Sequence, residues 1–205
     1  MKNELRLNER KQIADFKIVL KDFEPMVKDP KFLHNGRDIE NFSLRPREAW
    51  ANWLLCVVLR YLKGDEFTFA EDDEGDGILI DKKTGGWVKT EHVSALEIPK
   101  GQVLPKGEQR IIDAINLKIN KGSEYAKGKF LIVFFDGAGE YYRNKIREAV
   151  RGKHGFKRIF IIGILLSGSE GYEYAVTELQ DLSSLTFRVK INVDFTDWSV
   201  SQIKE

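Results

Sequence analysis

Two carboxylates stand out by where they sit. The stretch DGILIDKKTGGWVKTEHVSAL, residues 76–96, reads as two strands joined by a glycine turn. It carries Asp76 at the start of the first strand and Glu91 within the second. A glutamate flanked by Val88 and Val93 in a central strand costs energy if it is buried without a partner. Asp76 follows Gly75, a place where aspartate also suits a turn. Carboxylates on neighbouring strands that converge tightly enough can share a cation, and that is the chemistry this pair suggests.

Other residues of chemical interest are more scattered. Arg143, Arg147 and Arg151 recur at four-residue spacing, with Lys153, Lys157 and Arg158 beyond them. They form the best candidate surface for a phosphate backbone; Glu140 and Glu148 on the same segment also suit a solvated face. Asp136, in FFDGAGE, ends an apolar run and is followed by glycines and a helical pattern. Ligands gather at the carboxyl ends of parallel strands, so Asp136 offers an alternative reading as a nucleotide- or phosphate-binding protein. The full dinucleotide fingerprint and the P-loop are both absent. His34, His92 and His154 have no metal-ligand spacing, and His92 points to the opposite strand face from Glu91, as expected of packing or a hydrogen bond. The single cysteine, Cys56, excludes an internal disulfide and a cysteine zinc cluster. It lies in WLLCVVL, as buried filler. No serine or cysteine has the surroundings of a nucleophile.

These side chains must be held by secondary structure. Ile13, Phe16, Leu20 and Phe23 predict a first helix over 8–23, after which Pro25, Pro30 and HNGRD break the chain. The strongest helix is SLRPREAWANWLLCVVLRYLKGD, with Pro46 in its first turn and Gly64 at its end. It is apolar on two sides, so it is expected between layers, with Glu48 entering the interior near its start. FTFAEDD, GILIDKKT and WVKTEHVSAL follow as three antiparallel strands. A helix holding Ile111, Ile112, Ile115 and Leu117 comes next. KFLIVFFDG, EYYRNKIREAVRGK and FKRIFIIGILL then form a parallel β-α-β unit. YEYAVTEL reads as a short helix or strand and FRVKINVDF as a closing strand. The fold class is α/β: a mixed central sheet flanked by helices. Residues 1–42 form an N-terminal helical arm and residues 43–205 the main globular domain.

At 205 residues the chain can bury a sizeable core, and 42% apolar with 32% charged residues is an ordinary globular composition. The net charge of +1 supplies no global field toward nucleic acid or membrane, so a polyanion must be held by a local patch. The first residues are too polar for a signal peptide, and no apolar run approaches the ~20 residues of a membrane span. A cytoplasmic protein is the expectation.

The order helix, antiparallel meander, helix, parallel strand resembles the αβββαβ core of the PD-(D/E)XK nuclease superfamily, the restriction-endonuclease-like fold. The likeness covers roughly residues 44–136 as topology and two residues as motif: Asp76 in DGILI and Glu91 in TEHV. It implies a Mg²⁺- or Mn²⁺-dependent nuclease acting on DNA, with Asp76 and Glu91 as metal ligands and Glu48 as a further one. It leaves room for a homodimer and gives no membrane partner. Hydrolysing a phosphodiester means stabilising charge on phosphoryl oxygens and making a nucleophile from water, and a divalent metal does both. Mg²⁺ keeps several waters, so one or two carboxylates plus substrate phosphate suffice.

The third motif position departs from the family: Val93 stands where a lysine is expected. Lys118, Lys89 and Lys83 are the available replacements. Lys118 is favoured, because a lysine among apolar neighbours on a core helix calls for an explanation and its long side chain can reach the sheet. If no lysine arrives, the same fold serves as an inactive interaction or nucleic-acid-binding module. Register matters too. A two-residue turn at Gly85 and Gly86 would set Glu91 opposite Ile80, four residues from Asp76, whereas a longer turn or a bulge at Gly77 brings Asp76 nearer. Asp81 is the runner-up carboxylate.

Overall fold

The structure, a computed structural model, describes residues 7, 10–29, 31, 33, 42–73, 76–95, 105, 107–135 and 140–204. An α-helix, α1 (Phe16–Lys28), precedes the 18-residue α2 (Pro46–Lys63). Three strands follow: β1 (Phe67–Ala70), β2 (Ile78–Asp81) and β3 (Gly86–Ser94). Next come α3 (Gly107–Ile119), the single turn α4 (Ser123–Ala126), β4 (Phe130–Phe135), α5 (Arg143–Val150) and β5 (Arg158–Gly168). The last strands are β6 (Gly171–Leu179), β7 (Ser184–Ile191) and β8 (Trp198–Ile203). All eight strands form one mixed sheet in chain order. β3, β4 and β5 run parallel, and every other pairing is antiparallel. The fold is thus α/β, as expected.

Alternation along β4 explains the layers. Phe130, Ile132 and Phe134 face one side and Leu131, Val133 and Phe135 the other, so both faces of the sheet are dry there. α2 fills the first side. It touches β1 near one end of the sheet and β6, β7 and β8 at the other, so the sheet curls around it. A helix so enclosed must be apolar nearly all round, and α2 is: Trp50 and Trp53 stack at 5.2 Å in its middle. α3 and α5 cover the second side through Ile111, Ala114, Ile115, Ile146 and Val150.

The segment before residue 43 packs on α2 through Phe16, Leu20 and Phe23, and Trp53 Nε1 donates to the Phe16 carbonyl. α1 starts later than its apolar spacing suggests, at the Asp15 cap whose Oδ1 accepts from Lys17 N and Ile18 N. It also runs through Pro25 rather than ending there. A mid-helix proline costs about 3 kcal/mol, and the buried stripe Phe16, Val19, Leu20, Phe23 and Val27 offsets it. Upstream, Gln12 bridges Ala70 and extends the sheet beyond β1. YEYAVTEL is a strand, and β8 is a strand that the sequence reading did not anticipate. Pro30 and HNGRD lie outside the described residues. None of the described helices is long and apolar enough to cross a membrane.

Candidate functional site

The β2–β3 connection sets the register. Asp81 pairs with Gly86, leaving Lys82 to Gly85 in the turn, and Gly85 supplies its positive φ of 71°. The two-residue turn does not form: Ile80 pairs with Trp87, not with Glu91. Ile78 pairs with Lys89, and Thr90 N donates to Gly77 O at 2.8 Å. Asp76 lies two residues ahead of β2, near enough to Glu91 for that charge to raise its pKa. Asp72, two residues after β1, lines the same cavity as Asp76. Asp76 and Glu91 thus form an acidic pair at this end of the meander. Asp81 is not part of it; its carboxylate closes the turn by accepting from Lys83 N, Thr84 N and Thr84 Oγ1.

Gly77 makes the approach of Asp76 feasible. Its φ is +130°, and a Cβ there would come within 2.5 Å of Asn52 Nδ2 and 3.2 Å of Thr90 Oγ1. Asn52, wholly buried on α2, donates to the Asp76 carbonyl at 2.9 Å and meets His92 Nε2 at 3.3 Å. The His92 backbone N–H donates to Asp76 Oδ2 at 2.5 Å. Side chain and main chain of Asp76 are thus both fixed.

Glu91 lies on the face covered by α3. Lys118 Nζ donates to its Oε1 at 2.5 Å, and Lys129 Nζ lies 3.7 Å from its Oε2. Tyr125, on α4, packs beside this group, with Lys129 Nζ 4.3 Å from its ring centroid. Burial pushes the Glu91 carboxyl up, but the hydrogen bond from Lys118 and the charges of Lys118 and Lys129 help to outweigh it, leaving the group below its ordinary range. Asp76 goes the other way. Burial, then the charge of Glu91, raises it against the His92 N–H and Lys118. Glu48 is raised by burial and by Asp76; its Oε2 accepts from Arg45 N at 3.3 Å across the first turn of α2. Mutual repulsion between carboxylates marks this end of the sheet as a place where negative charge is concentrated.

A cavity of about 980 Å³ opens here, between the start of α2, the ends of β2 and β3, and α3. Glu48, Asp72, Asp76 and Lys118 line it, with Arg45 and Arg47 on its α2 side and Val93 where a motif lysine would stand. Glu91 is not a lining residue; Lys118, which holds it, is. Of the rival lysines, Lys89 lies 3.0 Å from Asp72 and Lys83 is an exposed turn residue.

The oxygen donors suit a hard cation, but they come as a pair. Among the described residues no group of three or more His, Cys, Asp and Glu stands ready to hold a metal ion. Glu48 caps its own helix, and Asp72 is matched by Arg10 at 3.6 Å and by Lys89. Two neighbouring carboxylates near a roomy cavity would suit only a cation such as Mg²⁺ that keeps its waters and takes further oxygens from a substrate. They do not make a closed cage.

The arginine row lies elsewhere. Arg143 Nη1 donates to Thr186 Oγ1 at 2.5 Å and Arg147 Nη1 reaches Ser184 Oγ at 3.5 Å, so both turn onto β7 and neither lines the cavity. Arg151 is the exposed residue that ends α5. Asp136 and His34 lie outside the described residues. His92 is buried and its ring is held near a pKa of about 3, by burial first and then by Arg47 and Lys118. Cys56 is buried, and burial pushes its thiol well up. The sequence reading missed Tyr125, Lys129 and Asn52 as parts of the site. Asn52 did carry a signal, a polar residue on the buried second side of α2. Tyr125 and Lys129 sit in GSEYAKGK, which reads as a loop.

No family model, curated protein or solved structure matches this chain.

Proposed function

We propose that the protein is a divalent-metal-dependent nuclease of the PD-(D/E)XK type, hydrolysing phosphodiester bonds, with DNA as the expected substrate. One observation carries the reading: a lysine from α3, Lys118, reaches Glu91 on β3, whose charge is felt by Asp76 just ahead of β2. Val93 leaves the usual lysine position empty of charge, and Lys118 brings an ammonium to the same carboxylate from the covering helix. The α2-β1-β2-β3-α3-β4 order, with β4 parallel to β3, supports the restriction-endonuclease-like core.

In this reading Asp76 and Glu91 are the metal ligands, with Glu48 adding negative charge beside Asp76. The bound metal would polarise the phosphoryl group and lower the pKa of a bound water. The chain's own residues do the rest. The His92 N–H keeps Asp76 aimed across the sheet. Glu91 Oε1 is engaged by Lys118, so a cation shared with Asp76 would compete with that ammonium for the carboxylate. The freed ammonium, on a flexible stem, then donates to the attacking water or to a phosphate oxygen. Arg45 and Arg47 at the cavity wall offer charge to flanking phosphates. The arginine row on α5 is a second phosphate surface, of which Arg151 is the most exposed member.

The experiment is cleavage of a plasmid or oligonucleotide with Mg²⁺ or Mn²⁺, in wild type, Glu91→Gln and Lys118→Met. Cleavage that needs the metal and disappears in both variants supports the nuclease. A second reading is favoured by the two lysines on Glu91. With both carboxylate oxygens matched by ammonium groups, the fold would serve as a non-catalytic nucleic-acid-binding module. Nucleic-acid binding by the wild type, without metal binding or cleavage, would favour that reading.

A further inference from the structure

We propose that Arg110 binds a backbone phosphate of the nucleic-acid strand, at a second anion site in the cavity away from Asp76 and Glu91. This rests on the reading above in so far as the cavity receives nucleic acid. Arg110 lies in the first turn of α3, lines the cavity and is only 8% exposed. Its Nε donates to the Ala95 carbonyl at 3.0 Å, just past the end of β3. Its Cζ stands 5.1 Å from the ring centroid of Phe135, the last residue of β4. One edge and one face of the planar group are thus fixed, and the two Nη groups remain to donate. Among the described residues no carboxylate or other acceptor meets them. The acids beside Arg110 on the helix are engaged elsewhere. Glu108 Oε1 meets Lys145 Nζ at 3.3 Å, and Asp113 Oδ1 accepts from Gln109 Nε2 at 2.8 Å.

A nearly buried guanidinium without a counter-charge costs the fold energy. That cost is offset when an anion occupies the site. Braced on its Nε edge, the group presents its Nη fork to the paired oxygens of a phosphate. Its place in the fold supports the same reading. Ala95 and Phe135 lie at the ends of neighbouring parallel strands, and ligands gather beyond the carboxyl ends of such strands. Distance separates this site from the acidic pair. Lys118 Nζ is anchored at Glu91 and Arg110 Nε at Ala95, four residues further on, a span of about 13 Å in extended backbone. Arg110 therefore serves a phosphate away from the one being cut, and it contributes binding rather than chemistry.

The test is Arg110→Gln in the full chain. The glutamine Nε2 takes the place of the arginine Nε, so it can keep the bond to Ala95 while the fork and the charge are lost. Arg110→Lys keeps the charge and loses the fork. A fluorescein-labelled DNA oligonucleotide is titrated by anisotropy over a range of salt in the presence of chelator. Urea unfolding of each protein and steady-state cleavage in Mg²⁺ accompany it. The expected result for Arg110→Gln is binding weaker by about tenfold and a salt slope lower by about one. KM rises with kcat unchanged, and the unfolding midpoint stays that of wild type. Arg110→Lys keeps the wild-type slope with an intermediate affinity. Wild-type affinity and slope in Arg110→Gln would overturn the inference. So would a slope lost equally in Arg110→Lys, because a mere brace for Ala95 behaves that way. Either result leaves the nuclease reading standing if the wild type cleaves. DNA binding that depends on Arg110, without cleavage by the wild type, would end the nuclease reading and keep this inference. A wild type that binds no DNA would overturn both.

Discussion

Glu91 and His92 are consecutive residues on β3, and they inhabit opposite worlds. Glu91 faces α3 and α4, among Lys118, Lys129 and Tyr125, one residue removed from a cavity. His92 faces α2, meets Asn52, and has an Nδ1 without a hydrogen-bond partner. Burial drives both toward neutrality, but only Glu91 is given enough opposite charge to stay ionised. The difference teaches that the two faces have separate duties. The α2 face fixes the backbone, and the α3 face holds charge that the fold alone does not require.

The largest effect expected from breaking this division is on the α2 face. Asn52→Leu leaves the Asp76 carbonyl and His92 Nε2 without their partner, and should cost about 2–4 kcal/mol of stability in urea unfolding. Gly77→Ala meets both a positive φ and the Asn52 amide, and should cost about 2–3 kcal/mol. On the α3 face, Glu91→Gln breaks the buried ion pair with Lys118 and should cost about 1–3 kcal/mol at neutral pH, and on the nuclease reading it should also end cleavage.

Acid sharpens the picture, because groups at this end of the sheet titrate with opposite signs. The His92 pKa is depressed from 6.5 to about 3 on folding. The unfolded chain therefore binds a proton first, and the stability His92 confers is full above pH 6.5 and is lost as pH falls toward 3. Unfolding midpoints measured across that window should fall, and His92→Phe should flatten the slope. Asp76 and Glu48 are raised, so their contributions are fully present below the ordinary carboxylate range and are lost as pH rises through the raised values. The smallest effect follows from this. Asp76→Asn removes a repelled, partly buried charge and should stabilise the metal-free protein at neutral pH by about 0.5 kcal/mol, the sign expected where a residue is kept for function rather than for folding.

Much of this arrangement was legible in the sequence. α2, the three-strand meander and the parallel β4 and β5 all declared themselves by period and by apolar runs, since burial on two faces leaves little choice of residue. Lys118 was legible for the same reason, being a lysine among apolar neighbours. The Asp76–Glu91 register was not, because one or two residues in a turn decide which side chains face each other, and Lys82 to Gly85 gives no unique turn length. β8 escaped because WSVSQI is half polar, as an edge strand allows. Tyr125 escaped because α4 is a single turn whose place comes from packing and not from any periodic pattern.

The central claim is that Asp76 and Glu91 share a cation, with Lys118 as its competitor for Glu91. Calorimetric titration of Mn²⁺ into wild type, Asp76→Asn, Glu91→Gln and Lys118→Met tests it most directly. The account predicts saturable binding in wild type, its loss in the first two variants, and tighter binding in Lys118→Met. No binding in the wild type, or equal binding in all four proteins, would contradict it.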